Sequence, residues 1–272
     1  MPHMRVASVL TIAGSDSGGG AGIQADLRTF AAHGVHGLSA ITALTAQHTR
    51  GVTAVHTPDT GFLRAQIDAC FDDFDIVAVK LGMLANAAVI HTVADALAVY
   101  RPRLLVLDPV MIATSGARLL ENDALEALRS RLLPMATIVT PNIPEAELLT
   151  RLRIDTATRA VSALHALRSA GAAAILLKGG HLAEGDQVVD RLLLTGTDHV
   201  TEFTHPRLVL NGHGTGCTLA SAIAANLGAG TQLHQAVAQA ITYVGMALRS
   251  GYRPGHGDVV VLDHCAVARH DQ

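Results

Sequence analysis

Tryptophan is absent, and five phenylalanines and three tyrosines make up the rest of the aromatic complement. An aromatic sandwich around a ligand ring is therefore not expected. Cysteine is also scarce: Cys70, Cys217 and Cys265 lie far apart with no CxxC pair. That argues against a disulfide framework and a zinc site, and suits a reducing cytoplasm. No Lys/Arg-rich block exists, and 20 basic against 23 acidic residues leave a net charge of −3. Nucleic acid is not an expected partner. The opening Met-Pro-His-Met-Arg carries no apolar run ending at small residues, so no signal peptide is read there. Residues 208–248 contain no Asp, Glu, Lys or Arg. A membrane span needs about 20 predominantly apolar residues. Here Asn211, His213, Asn226, Gln232 and Gln239, with Gly228 and Gly230, interrupt the run. Two buried or half-buried helices split at Gly228-Ala229-Gly230 fit better.

What is present is alternation. Short Val/Ile/Leu runs (8–13, 37–43, 76–80, 104–108, 137–139, 174–178) are separated by Ala/Leu segments of helical period (21–33, 60–71, 87–100, 122–131, 145–150, 156–170). That rhythm predicts an α/β fold with a largely parallel sheet covered on both faces. After Lys178 it changes. Residues 187–194, 200–204 and 207–210 read as short antiparallel strands, followed by the uncharged helical pair. The 272 residues suffice for a sizeable core, and a single domain over 1–272 is the economical reading.

Two glycine clusters sit between a strand and a helix. In the first, Gly14-Ser15-Asp16-Ser17-Gly18-Gly19-Gly20-Ala21-Gly22, backbone N–H groups can approach a ligand at a helix start. It matches neither the dinucleotide fingerprint nor the Walker A loop, and a structural turn stays an open reading. In the second, Gly214, Thr215, Gly216 and Cys217 can aim successive N–H groups at charge developing on a phosphoryl group. Cys217 falls in the first turn, where the helix field is expected to lower a thiol pKa from about 8.5. A buried small residue is the plain alternative. Asp108 and Glu145 each follow a strand, at the end of the sheet where open α/β folds bind ligands. The pair can hold Mg²⁺ directly or through waters. Glu145 as a helix-dipole acid, and Lys178 as a surface lysine rather than a phosphate contact, remain open.

The order of these elements closely resembles the hydroxymethylpyrimidine/phosphomethylpyrimidine kinase family, of the ribokinase-like superfamily. The resemblance runs through residues 12–27 (from Ile12 to Leu27), 40–47, Lys80-Leu81-Gly82-Met83-Leu84, Leu107–Met111, Thr140–Leu149, Leu177–His181 and His213–Thr218, and covers roughly Ser8 to His264. It implies a ribokinase-like fold in a cytoplasmic homodimer of thiamin biosynthesis. Gln47 would read the aminopyrimidine edge, with Gly14, Ala21, Thr45, Met83 and Val110 around the ring. Asp108 and Glu145 would organise Mg²⁺. Asn142, Lys178 and Thr215 would serve ATP, and Cys217 would stand near the acceptor hydroxyl beside the Gly214–Gly216 anion hole.

Two departures stand out. Gly212 replaces a frequent threonine, and Ile241 replaces a frequent lysine, so a triphosphate contact and a charge present in relatives are missing. A pyridoxal-type kinase is the nearest rival, although that group usually places Asp where this chain has Cys217. A non-catalytic pyrimidine-binding regulator is the rival from another class. The chemistry implied at Cys217 is general-base catalysis of the first phosphoryl transfer by a thiolate.

Overall fold

Each pair of parallel strands in the main sheet that follow one another in the chain is joined across helical structure, the connection that parallel pairing demands. The computed structural model describes residues 6–111 and 123–265. The order begins β1 (Ser8–Asp16), α1 (Gly22–Ala32), β2 (His36–His48), β3 (Gly51–His56), α2 (Thr60–Asp73), β4 (Ile76–Leu81), α3 (Ala87–Tyr100) and β5 (Leu105–Leu107). It continues with the short α4 (Ala124–Ala127) running into a π turn, then β6 (Ile138–Val139), α5 (Ile143–Thr150), α6 (Ala157–Ser169) and β7 (Ile175–Leu177). The last part is β8 (Gln187–Leu193), β9 (Val200–Pro206), β10 (Gly212–His213), α7 (Thr215–Gly228), α8 (Leu233–Arg249) and β11 (Val260–Val261).

Among the described residues one nine-stranded sheet forms in the order β3-β2-β1-β4-β5-β6-β7-β8-β9. Its centre, from β2 to β7, is parallel, and β3, β8 and β9 are antiparallel. The period of two along each strand sends alternate residues to opposite faces. Leu10, Ile12, Val79, Leu81, Leu105 and Leu107 join a core under α2, α3, α5 and α6, whereas Val9, Ala78, Val106 and Leu176 pack under α1, α7 and α8. Lys80 alternates with Val79 and Leu81, so it points into the second layer rather than to water.

The helix expected over 87–100 is α3 to the residue. Asn86 caps it by accepting from the Val89 N–H. The uncharged run is the pair α7–α8, divided where the glycines predicted, and no described helix is long and apolar enough to cross a membrane. Two expectations need correction. Residues 207–210 form no strand: Val209 is almost fully exposed and Arg207 turns its guanidinium onto the Gly180 and Leu182 carbonyls. Leu208 and Leu210 line the cleft, and none of the segment pairs with a sheet neighbour. Strand β3 was not foreseen, because its largely exposed residues show no buried stripe. Asn122, at the start of the helix expected over 122–131, lies outside the described residues.

Candidate active site

The parallel strands deliver their carboxyl ends to one side of the sheet, and α7 brings its N-terminus to the same place. Between them runs a continuous cleft of about 1180 Å³. All the residues singled out as substrate, phosphate or metal contacts line it: Gly14, Ala21, Thr45, Gln47, Met83 and Val110 towards one end, then Asp108, Asn142, Glu145 and Lys178, with Gly214 to Cys217 along one wall. Neighbouring strand ends of a parallel sheet lie side by side, so distant motifs converge.

At the first end, Gly22 adopts φ +57° and a Cβ there would stand 2.3 Å from the Gly14 carbonyl oxygen. Only glycine lets α1 begin this close to β1. The same loop wraps the Asp16 carboxylate: Gly18 donates to Oδ1 at 2.8 Å, and Gly20 and Ala21 donate to Oδ2 at 3.0 and 2.9 Å. His213 Nε2 lies 3.0 Å from Oδ2. Burial alone would raise this carboxyl, but the His213 bond and the Gly18 and Ala21 N–H groups outweigh it and hold Asp16 below its ordinary value. Gln47 sits against the same histidine, 3.1 Å from Nε2, and reaches Thr45 Oγ1 at 3.1 Å with its other end. Met83, Ala43 and Ala85, with Val110 packed against them, make a small apolar patch.

In the middle, Lys178 Nζ is 3.0 Å from Asp108 Oδ1 and 3.9 Å from Glu145 Oε2. Thr140 also donates to Asp108 Oδ1, at 3.3 Å. Asn142 and Glu145 form a reciprocal capping box at the start of α5, at 2.8 and 2.9 Å. The helix-start role left open for Glu145 is therefore real, yet it does not exhaust the residue. Burial pushes its carboxyl up to about 7 against the pull of Lys178, and neighbouring Asp108 adds to the rise. Two carboxyl groups face one ammonium, and an excess negative charge remains once Glu145 is ionised. The donors are all oxygen, so a hard divalent cation that takes one or two carboxylates and completes its shell with phosphate oxygens fits here. Among the described residues no cluster of three or more His, Cys, Asp and Glu offers a ready-made metal cage.

Along the wall, Gly214 takes φ +82°, and a Cβ on it would lie 2.0 Å from the Gly20 carbonyl oxygen, so the two glycine loops touch backbone to backbone. A Cβ on Gly216 would stand 3.1 Å from Lys178 Nζ and 3.7 Å from Asp108 Oδ2. The first turn of α7 thus faces the charged cluster, as an anion hole requires. Cys217 reverses one expectation. Burial pushes its thiol up to about 11, although Lys80 and the Gly22 N–H pull the other way. The net shift is away from the thiolate, opposite to the lowering expected at a helix start.

Both departures from the family pattern map to this cleft. A side chain at Gly212 would meet Leu248 at 2.9 Å and Thr215 at 3.0 Å, and Ile241 lines the cleft from α8. Sequence reasoning missed two buried contacts. One is the Asp16–His213 bond. The other is Lys80, which bonds both Asp26 oxygens at 2.9 Å while Thr11 and Ser221 each donate to Asp26 at 2.7 Å. Asp26 and Lys80 stand in motifs read from the sequence, and an acid and a base at apolar strand and helix positions were the available signal.

A mostly parallel sheet with helices on both faces, antiparallel strands beside the cleft and a glycine-rich helix start over a Lys–carboxylate cluster defines a ribokinase-like small-molecule kinase. Comparison with known proteins narrows this. The family model for phosphomethylpyrimidine kinase matches residues 16–262, and the chain belongs to that family. It is 49% identical over 250 residues to a hydroxymethylpyrimidine/phosphomethylpyrimidine kinase of Rhizobium meliloti, covering 91% of this chain and 92% of the relative. It is also 49% identical to the thiamine biosynthesis bifunctional protein ThiED of Geobacter sulfurreducens, of whose length it spans only 51%. Among solved structures, a phosphomethylpyrimidine kinase from Clostridium difficile superposes with TM-score 0.79 at 41% identity, covering 88% of this chain and 98% of that one. The ADP complex of Bacillus subtilis pyridoxal kinase superposes with TM-score 0.88 at 30% identity, covering 97% and 99%.

Proposed function

We infer that the chain, acting as one kinase domain, phosphorylates the hydroxymethyl group of 4-amino-5-hydroxymethyl-2-methylpyrimidine with ATP, and then phosphorylates the resulting monophosphate, as a step of thiamin biosynthesis. The observation that carries this reading is the juxtaposition in one cleft of the Gln47 end with the Lys178–Asp108–Glu145 cluster under the α7 N-terminus. In this reading Gln47 reads the polar edge of the ring while Gly14, Ala21, Thr45, Met83 and Val110 enclose it. Lys178, Asn142 and Thr215 contact the phosphates, and the Gly214–Cys217 N–H groups stabilise charge on the transferred group. Asp108 and Glu145 are the residues that would hold Mg²⁺, which supplies charge neutralisation on the triphosphate when bound. The rest is positioning: the acceptor hydroxyl is held in line with the γ-phosphate across the anion hole. Cys217, as a neutral thiol, shapes that hole and does not take the proton. The functional unit is a homodimer.

The likeness to pyridoxal kinases gives a second substrate a footing, since pyridoxal also carries a hydroxymethyl group on an aromatic nitrogen ring. One experiment separates them. The chain is incubated with MgATP and either hydroxymethylpyrimidine or pyridoxal, and the products are weighed by mass spectrometry. Mono- and then diphosphate from the pyrimidine, with far slower turnover of pyridoxal, is the expected result. Pyridoxal phosphate as the dominant product would overturn it.

A further inference from the structure

The contact between His213 and Gln47 is settled by counting protons. Asp16, held below its ordinary value by its partners, is ionised and accepts only, so the His213 nitrogen facing it carries the hydrogen. That same nitrogen, Nε2, is the atom 3.1 Å from the Gln47 amide. Two N–H groups cannot bond each other, and the two ends of an amide look alike in shape. The amide end facing His213 is therefore the carbonyl oxygen. Its NH₂ then points to Thr45 Oγ1, which is consistent, because that hydroxyl donates to the Ser15 carbonyl at 2.9 Å and has a lone pair left. Each contact along Asp16–His213–Gln47–Thr45–Ser15 now pairs a donor with an acceptor.

From this we propose that His213 is a specificity-determining positioning residue: it fixes which end of the Gln47 amide is carbonyl and which is NH₂, and so sets the order of donor and acceptor that a substrate ring must present. The proposal rests on the reading that Gln47 faces the ring. An ordered amide keeps one lone pair and one N–H for a ligand, always on the same sides. The aminopyrimidine offers the complement, an exocyclic amino donor next to a bare ring nitrogen. Pyridoxal offers an aldehyde oxygen beside the carbon that bears its hydroxymethyl group, where the pyrimidine has the amino group. An amide free to turn over would serve either ring; a fixed one leaves the aldehyde facing the wrong partner. A site built to bond a particular polar group discriminates strongly because mismatched buried groups stay unpaired.

The test compares kcat/KM for hydroxymethylpyrimidine and for pyridoxal in His213→Phe, which keeps a ring but removes the proton, and in Thr45→Val, which frees the other end of the amide. In both variants the pyrimidine-to-pyridoxal ratio should fall on the order of tenfold or more, with the KM for ATP unchanged. Thermal melting accompanies each, and if His213→Phe does not fold, Thr45→Val decides. Gln47→Leu is measured alongside. If it leaves the pyrimidine KM unaltered, the reading of Gln47 fails and the proposal with it. If it raises that KM but the two ordering variants keep the ratio, only the proposal is overturned.

Discussion

Two lysines of the sheet are held by carboxylates in opposite ways. Lys80, on β4, is fully enclosed and meets one carboxylate, Asp26, whose oxygens take two bonds each: Lys80 and Ser221 on Oδ1, Lys80 and Thr11 on Oδ2. A carboxylate has about four acceptor positions, so this one is saturated and the charges cancel. Lys178, just beyond β7, keeps 16% of its side chain exposed and meets two carboxyl groups, with an excess negative charge once Glu145 is ionised. Among the described residues Asp108 is bonded through Oδ1, while the site its Oδ2 faces lies at the α7 N-terminus. A closed, neutral pair has nothing to offer a ligand and acts by tying β1, β4, α1 and α7 together. An open, unbalanced one is suited to take a cation on one side and phosphate on the other. Burial of charge is therefore not by itself the mark of a functional site; incomplete coordination is.

The sharpest way to break the comparison is Lys80→Met. It leaves Asp26 buried and charged, and unfolding in urea should show a loss of about 3–5 kcal/mol. The double change Lys80→Met with Asp26→Leu should recover most of that, since an apolar pair of similar volume is often neutral. A single variant as stable as the parent would show that the pair holds nothing together.

At the open site the balance inverts. Glu145→Gln retains an acceptor for the capping box, so melting should move little, while kcat should fall on the order of 100-fold or more. Near-normal turnover at ordinary Mg²⁺ would reduce Glu145 to a helix cap.

A smaller effect follows from its carboxyl being pushed up to about 7, above its ordinary value of 4.5. The fold favours the protonated form, so this residue's contribution to stability is complete below the unfolded pKa and is lost as pH rises through about 7. A divalent cation needs the ionised form. Calorimetric Mg²⁺ affinity should therefore climb as pH rises through about 7, and Glu145→Gln should flatten the climb. An affinity in the parent that ignores pH across that range would contradict the assignment.

The mildest prediction concerns Cys217. With the thiol pushed up to about 11, Cys217→Ala should slow both phosphoryl transfers by the same factor, well short of the roughly 10²–10⁴-fold that a lost general base costs. Each transfer is measured from its own starting substrate across neutral and alkaline pH. A large loss confined to the first transfer would restore the thiolate.

The motifs of both sites were legible in the chain, but their pairing was not. The Asp108, Glu145 and Lys178 positions could be placed because each follows an apolar strand, and strand ends of a parallel sheet converge. The Asp16–His213 bond joins residues 197 apart, and no local pattern encodes such a meeting. The sign of the Cys217 shift was misread for a related reason. A helix N-terminus is visible in Gly214-Thr215-Gly216-Cys217, whereas the burial that overrules it comes from neighbours elsewhere in the chain. Strand β3 and the segment 207–210 failed in opposite directions: one is a strand without an apolar stripe, the other an apolar run whose Leu208 and Leu210 line the cleft while Val209 faces solvent.

The saturated Asp26 also has a history in time. Its partners come from residues 11, 80 and 221. During synthesis Lys80 is available early, but Ser221 arrives only with α7, and at roughly 5–20 residues per second that wait is on the order of ten seconds. Throughout it, Val9 and Ala78 belong to a sheet face to which α1 has been added but α7 and α8 have not. The helix that ends the wait is also the one whose first turn faces the Lys178–Asp108 cluster, so the nascent chain completes this sheet cover and that wall of the cleft in a single docking event, and a chain cut short before α7 would have neither.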